Sequence, residues 1–298
     1  MRKSLLIAAA APLALLGAVA MADDQAVSQS FQAKRVQIDA LVGNLKIVVR
    51  DGSPTIDVAL SGSQEMIQKV RLSTSGDAMV LTMEGMEGDW WDEMWDFNSV
   101  SSDDLSVTIT VGANTPVKVN NYIGDAEIGD INATLKMNTS GGEVRAGSVT
   151  DADVSIAGSG DIILGNVVGD LDASIAGSGS VKTGDTHSAD VEIAGGGEIK
   201  VGTVNGDFDI DVAGSGEVYA VSVNGKVNID VAGSGDVKID GGNADPFKVD
   251  IAGSGDVRFG GTANNPDVSV MGSGDVWISA YTGTLSSDGA DIKIGKAE

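Results

Sequence analysis

The sequence predicts an all-β fold, a right-handed parallel β-helix (solenoid) with coils of about 19 residues, and three observations carry that prediction. The first is a glycine motif that recurs seven times. It reads Ala157-Gly-Ser-Gly-Asp161, Ala176-Gly-Ser-Gly-Ser180, Ala194-Gly-Gly-Gly-Glu198, Ala213-Gly-Ser-Gly-Glu217, Ala232-Gly-Ser-Gly-Asp236, Ala252-Gly-Ser-Gly-Asp256 and Met271-Gly-Ser-Gly-Asp275. Its last glycine falls at 160, 179, 197, 216, 235, 255 and 274, so the step never leaves 18–20 residues. The second is strict alternation between the motifs, as in Phe208, Ile210 and Val212 separated by acidic residues. A period of two means strands with one buried face. The third is composition: 41 glycines, 5 prolines and 4% aromatics suit many short strands joined by tight turns.

The first 22 residues read as an export signal rather than as part of the fold. Arg2 and Lys3 form a positive head, Leu5–Ala20 an apolar stretch, and Ala20-Met21-Ala22 a small-x-small cleavage site. A transmembrane anchor is the competing reading. The stretch is short for a span of about 20 residues, and its small-residue end favours cleavage. No later segment is apolar enough to span.

Residues 23–120 read as β-rich coils with less regular units. Strands are expected at Val36–Leu41, Leu45–Val49, Ile56–Leu60, Met79–Met83 and Leu105–Val111, as wider coils at the start of the same solenoid. An insert, 84–104, breaks the pattern. It holds eight acidic residues, no basic one, and Trp90, Trp91 and Trp95. With Met94, the tryptophans fall at helical spacing, so one turn of helix would put them on one face. The segment either folds back over an end or side of the solenoid, or stays disordered, or presents an aromatic anchor to a partner.

Residues 121–298 hold the regular repeats, with weaker copies at Ile123-Gly-Asp125 and Ser140-Gly-Gly-Glu143. A second turn signal sits midway in each unit: Asn166-Val-Val-Gly169, Asn205-Gly206, Asn224-Gly225 and Asn264-Asn-Pro266. Each unit is therefore expected to be two short strands and two turns. Hairpin blades of a propeller need roughly 40 residues, so stacking coils fit better. Equivalent positions then lie about 4.8 Å apart. The inward rows are expected to be Ile156, Ile175, Ile193, Val212, Val231, Ile251 and Val270, beside Val154, Ala173, Val191, Ile210, Ile229, Val249 and Val268. The glycine corners supply backbone angles that a Cβ would obstruct.

Stacking coils also stacks charge. The chain carries 43 acidic against 19 basic residues, a net charge of −24, which makes nucleic acid and anionic membranes poor partners. One expected row runs along the glycine corner through Asp161, Glu198, Glu217, Asp236, Asp256 and Asp275, and another through Glu192, Asp211, Asp230 and Asp250. These are either solvated rows or, at Asp161, Asp236, Asp256 and Asp275, ligands for structural calcium (Ca2+); no other cofactor is expected. Nonapeptide calcium rolls place Asp on glycine-rich turns, but with a nine-residue period that this chain lacks. Cysteine is absent and His187 is the single histidine, which leaves no thiol chemistry and no His-based metal or triad site. His187 itself reads as a solvated corner residue. No carboxylate pair can be singled out for acid–base work, and coils this short spare no loop for a pocket, so no enzyme is expected.

The tandem Ala-Gly-Ser-Gly-Asp-Val copies behind an export signal, with the run Val36-Gln-Ile-Asp-Ala-Leu-Val-Gly-Asn-Leu-Lys-Ile-Val48, resemble the head GIN domain family of autotransporter adhesins across residues 31–280. The resemblance implies the repeat architecture and an adhesin-like exported protein, without an activity to transfer. No autotransporter barrel is expected after the repeats, and Lys293-Ile-Gly-Lys-Ala-Glu298 lacks a terminal aromatic. The functional expectation is an exported, non-enzymatic binding or structural module of a Gram-negative cell envelope. It would be periplasmic, outer-membrane-associated or secreted, and would present repeated sheet faces to a glycan or envelope protein with Trp90, Trp91 and Trp95 as anchors. The rival is a calcium-dependent polysaccharide-acting protein, either lyase-like or a calcium-stiffened adhesin.

Overall fold

A computed structural model describes residues 25–85, 104–289 and 292–295. The first 22 residues, expected to be an export signal, and the Trp90, Trp91 and Trp95 segment lie outside those residues. The chain is a β-solenoid: 72% strand, about nine turns, with coils about 19 residues apart. Its strands join one hydrogen-bonded network.

The two expected rows form as parallel ladders. Val154 pairs with Ala173, and the row continues through Val191, Ile210, Ile229, Val249 and Val268. Two residues on, Ile156 pairs with Ile175 and the row runs to Val270. Every member is buried. Each fully buried aliphatic side chain contributes about 1.5–3 kcal/mol by leaving water, so stacked rows stabilise in proportion to their number.

Each coil has three walls rather than the two strands expected. The first wall carries the two rows above. After the glycine corner the second wall begins, as in Asp161–Leu164 and Asp236–Ile239. A third, very short wall follows, in which Ile131, Val149, Val167, Thr186, Val204 and Val223 stack in register. It holds few inward residues per coil, too few to show a period in sequence. Thr186 is polar in an aliphatic row, yet its hydroxyl donates to the carbonyls of Gly169 (3.0 Å) and Ser188 (2.8 Å). Burial there costs little because the donor is satisfied.

The glycines work by two different means at each corner. The first glycine of the motif has positive φ, +125° at Gly214 and +132° at Gly233. The last lies against the inward row: a Cβ on Gly216 would sit 2.5 Å from Ile193 Cγ2. The middle serine is free of both constraints, consistent with Gly196 standing in its place in one copy.

The N-terminal region departs from the expected wider coils. The expected strands are present, at Arg35–Ile38, Leu41–Val42, Asn44–Val49, Ile56–Gly62, Ala78–Met83 and Leu105–Val111. Several of them pair antiparallel, however: Gln25–Phe31 with Ile56–Gly62, Ile56–Gly62 with Leu105–Val111, and Val70–Ser75 with Ala78–Met83. The result is a cap on the first coil, joined by a short helix, Gln64–Lys69. Ser63 caps that helix by accepting from the Met66 N–H, and Met66 is buried. Tyr122, also buried, ties the cap to the coils through its hydroxyl, which donates to the carbonyls of Gly43 (2.9 Å) and Asp125 (2.7 Å). The cap covers strand edges that would otherwise invite pairing with another chain.

Candidate binding faces

The described residues that flank the tryptophan insert belong to the N-terminal cap. Met83, the last residue before it in a strand, and Leu105, the first after it, are both buried. Glu84 is ion-paired with Arg71 at 2.6 Å, and the Asp104 carbonyl accepts from the Ser63 N–H at 3.0 Å. Both ends of the segment are thus held to the cap. Trp90, Trp91 and Trp95 themselves fall outside the described residues.

The glycine-corner acids do stack. Glu143 pairs with Asp161, Asp161 with Ser180, Ser180 with Glu198, Glu198 with Glu217, and Glu217 with Asp236. Most of the corner carboxylates are engaged by the chain itself. Asp236 Oδ1 accepts from the Asp256 N–H (3.0 Å), Asp256 Oδ1 from the Asp275 N–H (3.0 Å), and Asp161 Oδ1 from the Ser180 hydroxyl (2.5 Å). Asp275 receives Lys293 at 2.5 Å. The opposite corner repeats the device, with Asp130 Oδ1, Asn166 Oδ1 and Asp185 Oδ1 each accepting a backbone N–H one coil on. Short polar side chains at these corners therefore satisfy turn donors that the ladder leaves over.

That role leaves a poor fit to calcium, which takes six to eight converging oxygens. Among the described residues no three Asp, Glu or His side chains are placed to hold one metal ion. The melting temperature is expected to differ by less than about 2 °C between calcium and chelator. Ions at one hundred times their Kd would add about 2.7 kcal/mol, so a rise of several degrees would establish real sites.

The outer face of the first wall is acidic. Asp153, Asp172, Asp190 and Asp209 stack in one row, and Glu192, Asp211, Asp230 and Asp250 in the next. Part of this face is a shallow trough of about 780 Å³, with exposed His187 at its margin. Partial burial, then the adjoining carboxylates, hold Asp172, Asp190 and Asp211 above the ordinary carboxylate range. Their protons are bound more readily in the folded chain than in the unfolded one, so stability falls as pH rises through the window just above about 4. Asp240 and Glu127, held low by Lys238 and Lys46, act in the opposite sense, but only up to their ordinary values near 4. The melting temperature is expected to fall as pH rises from about 4.5 to about 6.5. Asp190→Asn should shrink the difference, and added salt should raise the melting temperature at the higher pH. A melting temperature that stays flat or rises across that range would contradict repulsion along these rows.

The second wall carries a row that the sequence reading missed. Arg145 pairs with Ile163, Ile163 with Lys182, Lys182 with Lys200, Lys200 with Tyr219, Tyr219 with Lys238, Lys238 with Arg258, Arg258 with Trp277, and Trp277 with Lys293. A chain poor in cations and aromatics collects both in a single column. The signal was present: each of these residues from Arg145 to Trp277 is the third after the last glycine of its motif. Reading each repeat along its length, rather than stacking that column, hid it. The row borders the corner acids, and Lys200 pairs with Glu198 at 2.6 Å and Lys238 with Asp240 at 2.8 Å.

These features define a class: an all-β solenoid with charged side chains ranked along its outer walls and a cap on its first coil. The chain belongs to the family described as "Putative auto-transporter adhesin, head GIN domain", whose sequence model matches residues 37–223 and 219–287. No curated protein matches it. Among solved structures, it is similar to a "putative lipid binding protein" from Parabacteroides distasonis, at 16% identity and a TM-score of 0.47, covering 88% of this chain and 97% of that one. A "putative adhesin" from the same organism matches at 13% identity and a TM-score of 0.41, covering 90% and 96%. Another "putative adhesin", from Parabacteroides merdae, matches at 14% identity and a TM-score of 0.43, covering 87% and 96%. No helix among the described residues is long and apolar enough to cross a membrane.

Proposed function

We propose that this protein is an exported, non-enzymatic module of the cell envelope that binds an extended partner, a glycan or a polypeptide, along its outer walls. The observation that carries this reading is the in-register repetition of outward side chains over successive coils. A partner with a regular repeat of its own can meet equivalent groups at several rungs, so weak contacts add by avidity. Membership of an adhesin family and the signal-like first 22 residues support export and binding. The first wall's acids lie on a flat face rather than around an enclosed pocket, which suits surface binding more than catalysis. Trp90, Trp91 and Trp95 are the second candidate contact, since tryptophans dominate binding hot spots.

The test is a glycan array and an envelope-lysate pull-down with the mature protein and with a version deleted for 84–104. Binding lost on deletion assigns the contact to the tryptophan segment; binding kept assigns it to the walls. A mature protein that retains neither glycan nor envelope protein would overturn the binding reading and leave a structural role.

A further inference from the structure

We propose that the second wall between Lys200 and Trp277 is a binding site for an extended, uncharged glycan, which deepens the binding reading above and rests on it. A groove of about 250 Å³ runs there between the corner acids and the Lys200, Tyr219, Lys238 and Arg258 row, with Val218 and Val237 in its lining. Its long side chains reach into solvent: the Lys238 and Arg258 side chains are 56% and 60% exposed.

The chemistry of the groove selects the partner. Carboxylates line one side and ammonium or guanidinium groups the other, both advancing in steps of about 4.8 Å. A polyanion would meet the corner acids, and a polycation would find a denser acidic face on the first wall. A polyhydroxyl chain uses both rows, since each hydroxyl donates to a carboxylate and accepts from a cation. Aromatic surface completes the match. Trp277 stands three rungs beyond Tyr219, about 14 Å along the axis. Tyr219 is pre-set: its hydroxyl donates to Asp240 Oδ2 at 2.5 Å, and Lys238 Nζ lies 5.3 Å from its ring centroid. Side chains already ordered by their neighbours lose little freedom when a ligand arrives, which raises affinity without adding contacts. Half-buried Trp277 supplies an apolar plane for the C–H face of a sugar ring.

The experiment is isothermal titration of the mature protein with hexasaccharides of β-1,4-linked glucose and of β-1,4-linked N-acetylglucosamine. Alginate and polylysine serve as the charged comparisons. At least one neutral hexasaccharide should bind, and Trp277→Ala should weaken it tenfold or more. Arg258→Gln, at an exposed position that spares the core, should weaken it several-fold even if Trp277→Ala folds poorly. Neutral sugars bound equally by parent, Trp277→Ala and Arg258→Gln would overturn the site while leaving the binding module standing. Tighter binding of alginate or polylysine would overturn the partner class. Failure of every glycan, with an envelope protein captured in the pull-down, would sink this proposal alone; failure of both assays would sink it together with the broader reading.

Discussion

Replacing Gly214 by alanine is expected to cost about 3 kcal/mol or more, among the largest effects of any single methyl group in this protein. Gly214 has φ of +125°, and its added Cβ would lie 2.4 Å from the Gly195 carbonyl oxygen one coil below. Neither partner can yield. Gly195 and Gly214 are successive rungs of the same ladder, and Gly214 is paired in turn with Gly233. Moving one corner therefore displaces the hydrogen bonds on both sides of it. Ser215→Ala, one residue on, is the control; that side chain is exposed, and surface changes of this kind stay within about 0.5 kcal/mol. Urea midpoints read the difference. Equal midpoints for the two variants would mean that the corner tolerates a Cβ and that the glycine repeat has some other cause.

Phe259→Ala should be comparably damaging by a different route. The Phe259 ring is fully buried and stacks on Phe247 with centroids 4.9 Å apart and planes inclined by 22°. Truncation to alanine removes that contact and leaves a cavity that two adjoining ladders hold open, at a cost of about 3–5 kcal/mol. Phe259→Leu, which refills most of the volume, should lose less than half as much. The damage should also be local. Coils contact only their neighbours, so amide exchange should accelerate in residues 236–289 well before the capped N-terminal coils respond. Uniform acceleration along the whole chain would show that the solenoid opens as one unit.

The first wall and its corners were legible in the sequence because both write themselves repeatedly. Val154, Ile156 and their successors alternate with polar residues, and the glycines recur where the backbone has no room for a side chain. The third wall was not legible, since single inward residues such as Val167, Thr186 and Val204 produce no period. The cap was half legible. Its strands showed in their apolar patterns, but Ile56–Gly62 gives no sign that it pairs antiparallel with Gln25–Phe31 rather than parallel with a later coil. Pairing direction is a property of the partner's position, and partners dozens of residues away leave no local trace.

The candidate faces divide in the same way. The stacking of Asp236, Asp256 and Asp275 followed from the repeat, whereas their acceptance of backbone N–H groups could come only from coordinates. The Lys200, Tyr219, Lys238, Arg258 and Trp277 row differs again. Its register was implied by the repeat from the outset, but mixed residue types at one position do not look like a motif until they are placed side by side.

The ladders also bear on how the chain becomes folded. Successive rungs of the repeat region bring together residues only 16 to 20 positions apart, as Ile210 with Ile229 or Ile239 with Phe259. Each finished coil is thus a template for the next, and little chain entropy is lost in closing so short a loop. Only the cap demands distant partners, such as Asn44–Val49 with Leu105–Val111. A chain delivered N-terminus first would meet its slow step at the start, within its first hundred or so residues. Everything after that is growth by accretion, one coil at a time, at the pace at which chain is supplied.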